Sequence, residues 1–126
     1  MIVIQDLHSY YGDSHILRGI EARIPTAASV GLLGRNGMGK TTLIRSLMGY
    51  VRPARGSVTC DDVNVTGWAP EKMARLGIGY VPEERLVIGN ISVDDNLRLG
   101  AIRRAIPGGR TWRRQDMYAL FPRLKE

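Results

Sequence analysis

At 126 residues, 44% of them hydrophobic and 24% charged, the chain has material for one hydrophobic core and not two. No stretch approaches the ~18 consecutive apolar residues a membrane span needs, and the opening MIVIQDLHSYYG lacks the basic and apolar regions of a cleavable leader. The net charge of +6 is uneven: Met1 to Leu97 carries 10 basic and 10 acidic residues, whereas Arg98 to Glu126 carries 8 and 2.

Such a basic block can attract nucleic acid or anionic lipid. Its one aromatic residue besides Tyr118 and Phe121 is Trp112, and no stacking platform is interleaved with the charges, so a solvated helical surface is expected and no nucleic-acid partner. The single cysteine, Cys60, has no partner for an internal disulfide, which fits a reducing compartment and a small half-buried strand residue.

In chain order, IVIQDLHSYYGDSHILRGIEARI predicts two extended segments joined at Gly12-Asp13, with imperfect apolar alternation at Ile2, Ile4 and Leu7 and at Ile16, Leu17, Ile20 and Ile24. His8 and His15 fall in this hairpin and are expected as surface or turn residues. SVGLL, residues 29–33, is short and apolar and closes at Gly34, the pattern of a strand buried on both faces. After Lys40, the spacing of Leu43, Ile44, Leu47 and Met48 predicts a helix that stops at Gly49.

GSVTCDDVNVTG predicts another extended segment with a turn at Asp61-Asp62, APEKMARLG a short helix with Pro70 in its first turn and Gly77 past its end, and IGYVPE a return to strand. Ser92 and Asp95 form a capping box ahead of the helix VDDNLRLGAIRR. AIPGG breaks that helix, Thr111 caps another running through Leu120, and Pro122 ends it. The change of composition near Arg98 marks the start of a helical subdomain, dividing the chain into residues 1–97 and 98–126.

Between the apolar run and the helix, Gly34, Gly39, Lys40 and Thr41 satisfy GxxxxGK[ST], with the strand before and helix after that this motif requires. A triphosphate is bulky and densely anionic, so a loop that binds it must present backbone N–H groups without side chains in the way. Glycines at 34, 37 and 39 allow that approach. The helix beginning near Lys40 aims its partial positive end at the same place, Lys40 adds a full charge for the β and γ phosphates, and the Thr41 hydroxyl can join a Mg2+ shell. A merely connecting turn would explain one or two glycines but not the lysine and threonine. The expected ligands are ATP and Mg2+.

The segments YYGDSHILRGI, GLLGRNGMGKTTLIRSLMG, PARGSV, GIGYVPEERLVIGNISVDDNL and LFPRLKE stand in the order seen in ABC transporter ATP-binding subunits. Over essentially the whole chain the sequence resembles the branched-chain amino acid import branch, with a urea-import branch closely similar. The resemblance implies an α/β fold, a P-loop NTPase core with an N-terminal antiparallel β subdomain and the start of an α-helical subdomain.

It further implies that Tyr11 stacks on adenine while Tyr10 is structural, and that Arg35, Asn36, Gly37 and Met38 complete the phosphate loop. Thr42 would reach the α-phosphate. Glu83 stands where the family has its Q-loop glutamine and could contact Mg2+ or its water, which makes Lys40 and Glu83 the candidate catalytic residues and Thr41 and Glu83 the candidate metal ligands. The implied partners are transmembrane permease subunits and a second ATP-binding subunit, at the cytoplasmic face of the inner membrane. PTAAS, in place of the usual glycine-glutamate pair, and Ile88-Gly89, where relatives tend to have Phe and Pro, depart from the family pattern.

Hydrolysis in this family needs a signature of the LSGGQ kind, an apolar strand ending in Asp-Glu and a switch histidine, and the 126 residues contain none of them. The chain therefore reads as the front half of an ATPase subunit that binds nucleotide but turns it over poorly by itself. The other readings are a non-hydrolysing nucleotide-binding remnant and a soluble ABC-type ATPase acting on nucleic acid through the basic block.

Overall fold

A computed structural model describes residues 1–84, 86–101 and 112–125. They form two compact units, Met1–Tyr80 and Val81–Glu126.

The first unit is built on the hairpin β1 (Ile2–Tyr11) and β2 (Ser14–Ile24), which turns at Gly12-Asp13 as its sequence predicts. β3 (Arg55–Cys60) and β4 (Val63–Asn64) join it through the Asp61-Asp62 turn, giving an antiparallel sheet in the order β2-β1-β3-β4. α1 (Lys40–Leu47) and α2 (Pro70–Leu76) contribute to the core. Ile4, Leu7, Leu17, Val58, Cys60, Val65 and Met73 are buried together, with Leu43 and Leu47 of α1 packed against them.

The irregular apolar spacing of β1 has a structural cause. Ile4 pairs with Ala22 and Leu7 with Ile20, so three steps on β1 match two on β2. The extra residue is taken up near Asp6, whose φ of 45° lies in the left-handed region. This bulge turns Leu7 inward beside Ile4, although their spacing of three would put them on opposite faces of a regular strand. The facing position on β3 is Gly56: a Cβ there would lie 2.2 Å from the Asp6 carbonyl oxygen, so no other residue fits without moving the backbone.

Two expected strands are absent. Residues 29–33 and 78–83 have no ladder partner among the described residues; Leu33 is 92% exposed and Val81 93%. An apolar run becomes a strand only when a neighbour supplies hydrogen bonds, and the sheet ends at β2 and β4 without reaching either run. Their composition was correctly apolar, but pairing is not a local property.

In the second unit, α3 (Val93–Gly100) starts at Ser92, whose Oγ accepts from the Asp95 N–H at 3.1 Å and donates to the Asp95 carboxylate at 2.7 Å. α3 stops at Gly100, because Ala101 is already extended at φ −77° and ψ 102°, short of the predicted Arg104; the AIPGG break and the Thr111 cap lie outside the described residues. α4 (Arg114–Leu120) has Arg113 at its N-cap, with Asp116 accepting the Arg113 N–H at 2.8 Å. Pro122–Lys125 form a 3-10 turn. Asp94 joins the two helices, accepting from Arg114 Nη1 at 2.6 Å and from the Tyr118 hydroxyl at 3.0 Å. α3 runs through Leu97 and Arg98, so the change in composition falls inside a helix of the second unit.

Candidate functional site

The glycine loop of residues 34–39 leads directly into α1. Gly39 is the N-cap residue of α1 at φ 87°, and Gly37 has φ 81°, so both occupy the left-handed conformation that glycine enters without steric cost. No side chain caps this end of α1, which leaves the first N–H groups of the helix free of intrahelical partners and directed toward the loop. No acidic side chain stands in the first turn to neutralise the positive end of the helix.

The Lys40 side chain folds back over the loop, and its Nζ donates to the carbonyls of Gly34 and Arg35, both at 2.7 Å. These charge-assisted bonds tie the two ends of the loop together and hold a full positive charge within it. Arg35, Asn36, Gly37, Met38 and Thr41 are exposed around that charge, whereas Thr42 is buried, at 7% exposure. Thr42 thus faces the protein, and what it offers a ligand is chiefly its backbone.

Packing fixes the loop against the hairpin. A Cβ on Gly39 would lie 3.0 Å from Leu17 Cδ2 and 3.2 Å from Ile16 Cγ2, so the end of the loop rests directly on β2. Ser9, which pairs with Leu17 across the hairpin, donates or accepts a buried hydrogen bond with Ser46 of α1 at 3.0 Å. Tyr11 lies two residues beyond Ser9, ~7 Å along the strand, and is half-exposed at 46%. Glu83 belongs to the second unit and is exposed.

A magnesium ion fits the residues that are present. Mg2+ takes few protein ligands beside phosphate oxygens and water, and the exposed Thr41 hydroxyl at the start of α1 is of the right hard-oxygen type. Among the described residues no group of three His, Cys, Asp or Glu side chains is arranged to hold a metal, so any such ion must rely on its anionic ligand.

One cluster escaped the sequence reading. His8 and His15, expected as surface or turn residues, are strand residues, half-buried and bonded to each other, with His8 also bonded to Asp6. The His8 hydrogen bond, with the Arg55 guanidinium beside it, holds the exposed Asp6 carboxyl below the usual carboxylate range. The available sequence signal was the His8-x-Tyr10 spacing on one strand face opposite His15, but the register that unites them depends on the bulges of β1.

A glycine-lined loop closed by a lysine at the start of a helix, resting on an antiparallel sheet, defines a P-loop nucleotide-binding domain of the α/β class. A family model described as ABC transporter matches residues 17–126. A probable ABC transporter ATP-binding protein of Azorhizobium caulinodans is 35% identical over 115 residues, covering 91% of this chain and 40% of that protein. A high-affinity branched-chain amino acid transport ATP-binding protein of Pseudomonas aeruginosa is 30% identical over 126 residues, covering 100% of this chain and 54% of that protein.

Among solved structures, a putative ABC transporter ATP-binding protein of Pyrococcus furiosus matches with a TM-score of 0.64 at 32% identity, covering 79% of this chain and 46% of that one. The chain belongs to the ABC transporter ATP-binding family. It spans between 40% and 54% of the length of the two relatives just described. Other relatives of similar identity are named for lipopolysaccharide export, ribose import and sulfate/thiosulfate import, so the family is defined and its branch is not. No helix among the described residues is long and apolar enough to cross a membrane.

Proposed function

We propose that the chain supplies the ATP-binding portion of an ABC importer, and that residues 34–42 bind the phosphates of ATP complexed with Mg2+. The observation that carries this reading is Lys40: its ammonium lies over the loop within 2.7 Å of two loop carbonyls, at the uncapped positive end of α1. A polyanion placed there meets the lysine charge and the free N–H groups of the loop and of the first helical turn. The Thr41 hydroxyl would hold the magnesium ion, whose contribution when bound is to neutralise phosphate charge.

Gly34, Arg35, Asn36, Gly37, Met38 and Gly39 shape the loop, the Thr42 backbone completes it, and Tyr11 provides a flat, half-exposed ring for the purine. Glu83, in the second unit, is the proposed Q-loop carboxylate. The likeness to the Pseudomonas aeruginosa protein over the full chain favours branched-chain amino acids as the cargo. In this role the protein works with permease subunits and a second ATP-binding subunit on the cytoplasmic face of the membrane, where ATP binding and hydrolysis drive transport.

Titration with ATP·Mg tests the proposal. Lys40→Ala removes a charged hydrogen-bonding partner worth about 1.5 to 3 kcal/mol, so Kd should rise roughly tenfold to more than a hundredfold. Tyr11→Ala should weaken ATP while leaving inorganic triphosphate binding unchanged. Unaltered affinity in Lys40→Ala, with the fold intact by circular dichroism, refutes the phosphate role.

A further inference from the structure

The hairpin carries a histidine pair that the phosphate loop does not use. His8 and Tyr10 lie two residues apart on one face of β1, and Tyr10 pairs with His15 of β2. The His15 ring is held flat against Tyr10, with centroids 4.3 Å apart and planes 9° from parallel. Its Nε2 lies 2.9 Å from His8 Nδ1. On the far side, His8 Nε2 is 2.8 Å from Asp6 Oδ1, and the second Asp6 oxygen accepts from Arg55 Nε at 3.0 Å.

The ionised carboxylate only accepts, so His8 carries a hydrogen on Nε2, and in the neutral ring Nδ1 then accepts from His15 Nε2. A carboxylate that orients one ring nitrogen and leaves the other open is the arrangement found behind metal-ligating imidazoles.

We propose that His8 Nδ1 and His15 Nε2 bind one divalent transition-metal ion of the class that imidazole favours, Zn2+, Ni2+ or Cu2+, clamping β1 to β2. Such metal–nitrogen bonds are about 2.0 to 2.1 Å long, so two nitrogens subtending a right angle at the ion stand about 2.9 Å apart, and two at the tetrahedral angle about 3.4 Å. The observed separation of 2.9 Å, with the ring centroids 5.1 Å apart, is that of two nitrogens facing each other in a hydrogen bond, so the rings must turn and open by about half an ångström to reach the tetrahedral arrangement. Binding requires the hydrogen that lies between the two rings to leave, passing to His15 Nδ1 or to solvent, so that both nitrogens turn a lone pair to the ion.

Asp6 offsets the added positive charge, which Arg55 and the nearby Arg18, bonded to the His15 carbonyl at 3.1 Å, would otherwise oppose. No third ligating side chain joins the pair among the described residues, so water completes the shell and the ion exchanges readily. The His8 side chain keeps 19% of its surface exposed, enough for the ion to enter at the edge it shares with His15.

Calorimetric titration of the full chain with Zn2+ alone, and electron paramagnetic resonance with Cu2+ alone, test the site. One ion per chain with two coordinated nitrogens is expected, lost in either His8→Asn or His15→Asn. Asp6→Asn should weaken binding about ten- to a hundredfold by freeing the His8 ring. Stoichiometric binding that survives both histidine substitutions, or no binding to the unsubstituted chain, overturns the proposal.

Should the histidine variants unfold, Ni2+ added to the unsubstituted chain decides the matter by nuclear magnetic resonance. Broadening that begins at the His8 and His15 ring signals supports the site, and broadening that begins elsewhere sinks it.

Discussion

The hydrogen bond between Ser9 and Ser46 anchors α1 to the sheet, and its contribution can be worked out before it is measured. Ser9 is 0% exposed and Ser46 3%, and the bond between them spans 3.0 Å. Replacing Ser46 by alanine strands the Ser9 hydroxyl in the core, where an unsatisfied polar group costs about 1 to 3 kcal/mol, less a helix-propensity gain of up to about 0.7 kcal/mol.

Replacing Ser9 is milder. The Ser46 hydroxyl can turn to the carbonyl of Thr42, four residues back on α1, so the loss should be nearer to the net value of one hydrogen bond, about 0.5 to 1.5 kcal/mol. The double variant leaves neither hydroxyl orphaned and should be less destabilised than the sum of the singles by about 1 kcal/mol or more. Urea unfolding of the four proteins, with the m-value checked for constancy, completes the cycle. Additivity within about 0.3 kcal/mol, or a greater loss in Ser9→Ala than in Ser46→Ala, would refute this account of the anchor.

Gly56→Ala sets a Cβ 2.2 Å from the Asp6 carbonyl oxygen at φ 93°, so strain of about 1 to 2 kcal/mol joins an overpacking cost of about 1 to 3 kcal/mol; a urea midpoint within error of the unsubstituted chain would contradict the tight bulge. Asp6 has a lowered folded pKa, caused first by the His8 hydrogen bond, so the stability it contributes is complete above about pH 4 and disappears as pH falls through the lowered value. Asp6→Asn should therefore flatten the stability profile below pH 4, by a small amount because the carboxyl is exposed, and an unchanged acid limb would show that the His8 bond does not persist in solution. Tyr118→Phe should remove the hydroxyl link to Asp94 and raise amide exchange in α4 while sparing the first unit; slower or equal exchange would show that the bond contributes nothing.

Many elements that depend on near neighbours were legible. The hairpin turn at Gly12-Asp13, the helix start after Gly39, Pro70 opening α2, Gly77 closing it and the Ser92 cap each follow from dihedral preferences or from hydrogen bonds across a few residues. So was the glycine turn ahead of α1, because Gly37, Gly39 and the Lys40 bonds to Gly34 and Arg35 act within a few positions of one another. Residues 29–33 and 78–83 could not be judged that way: whether an apolar run becomes a strand depends on a partner that sequence order does not name.

What the amino-acid order determined alone is the glycine loop ahead of α1 and the local punctuation around it, both written in residues that act within a few positions of one another. Tertiary structure decided the rest. The bulge at Asp6 turns Leu7 inward and shifts the register that brings His8 against His15, Ser9 and Ser46 meet across 37 positions, and Gly39 comes to rest on Leu17. Each of these depends on which strand faces which side chain, and strand register is settled by burial summed over the whole sheet, not by any one segment of it.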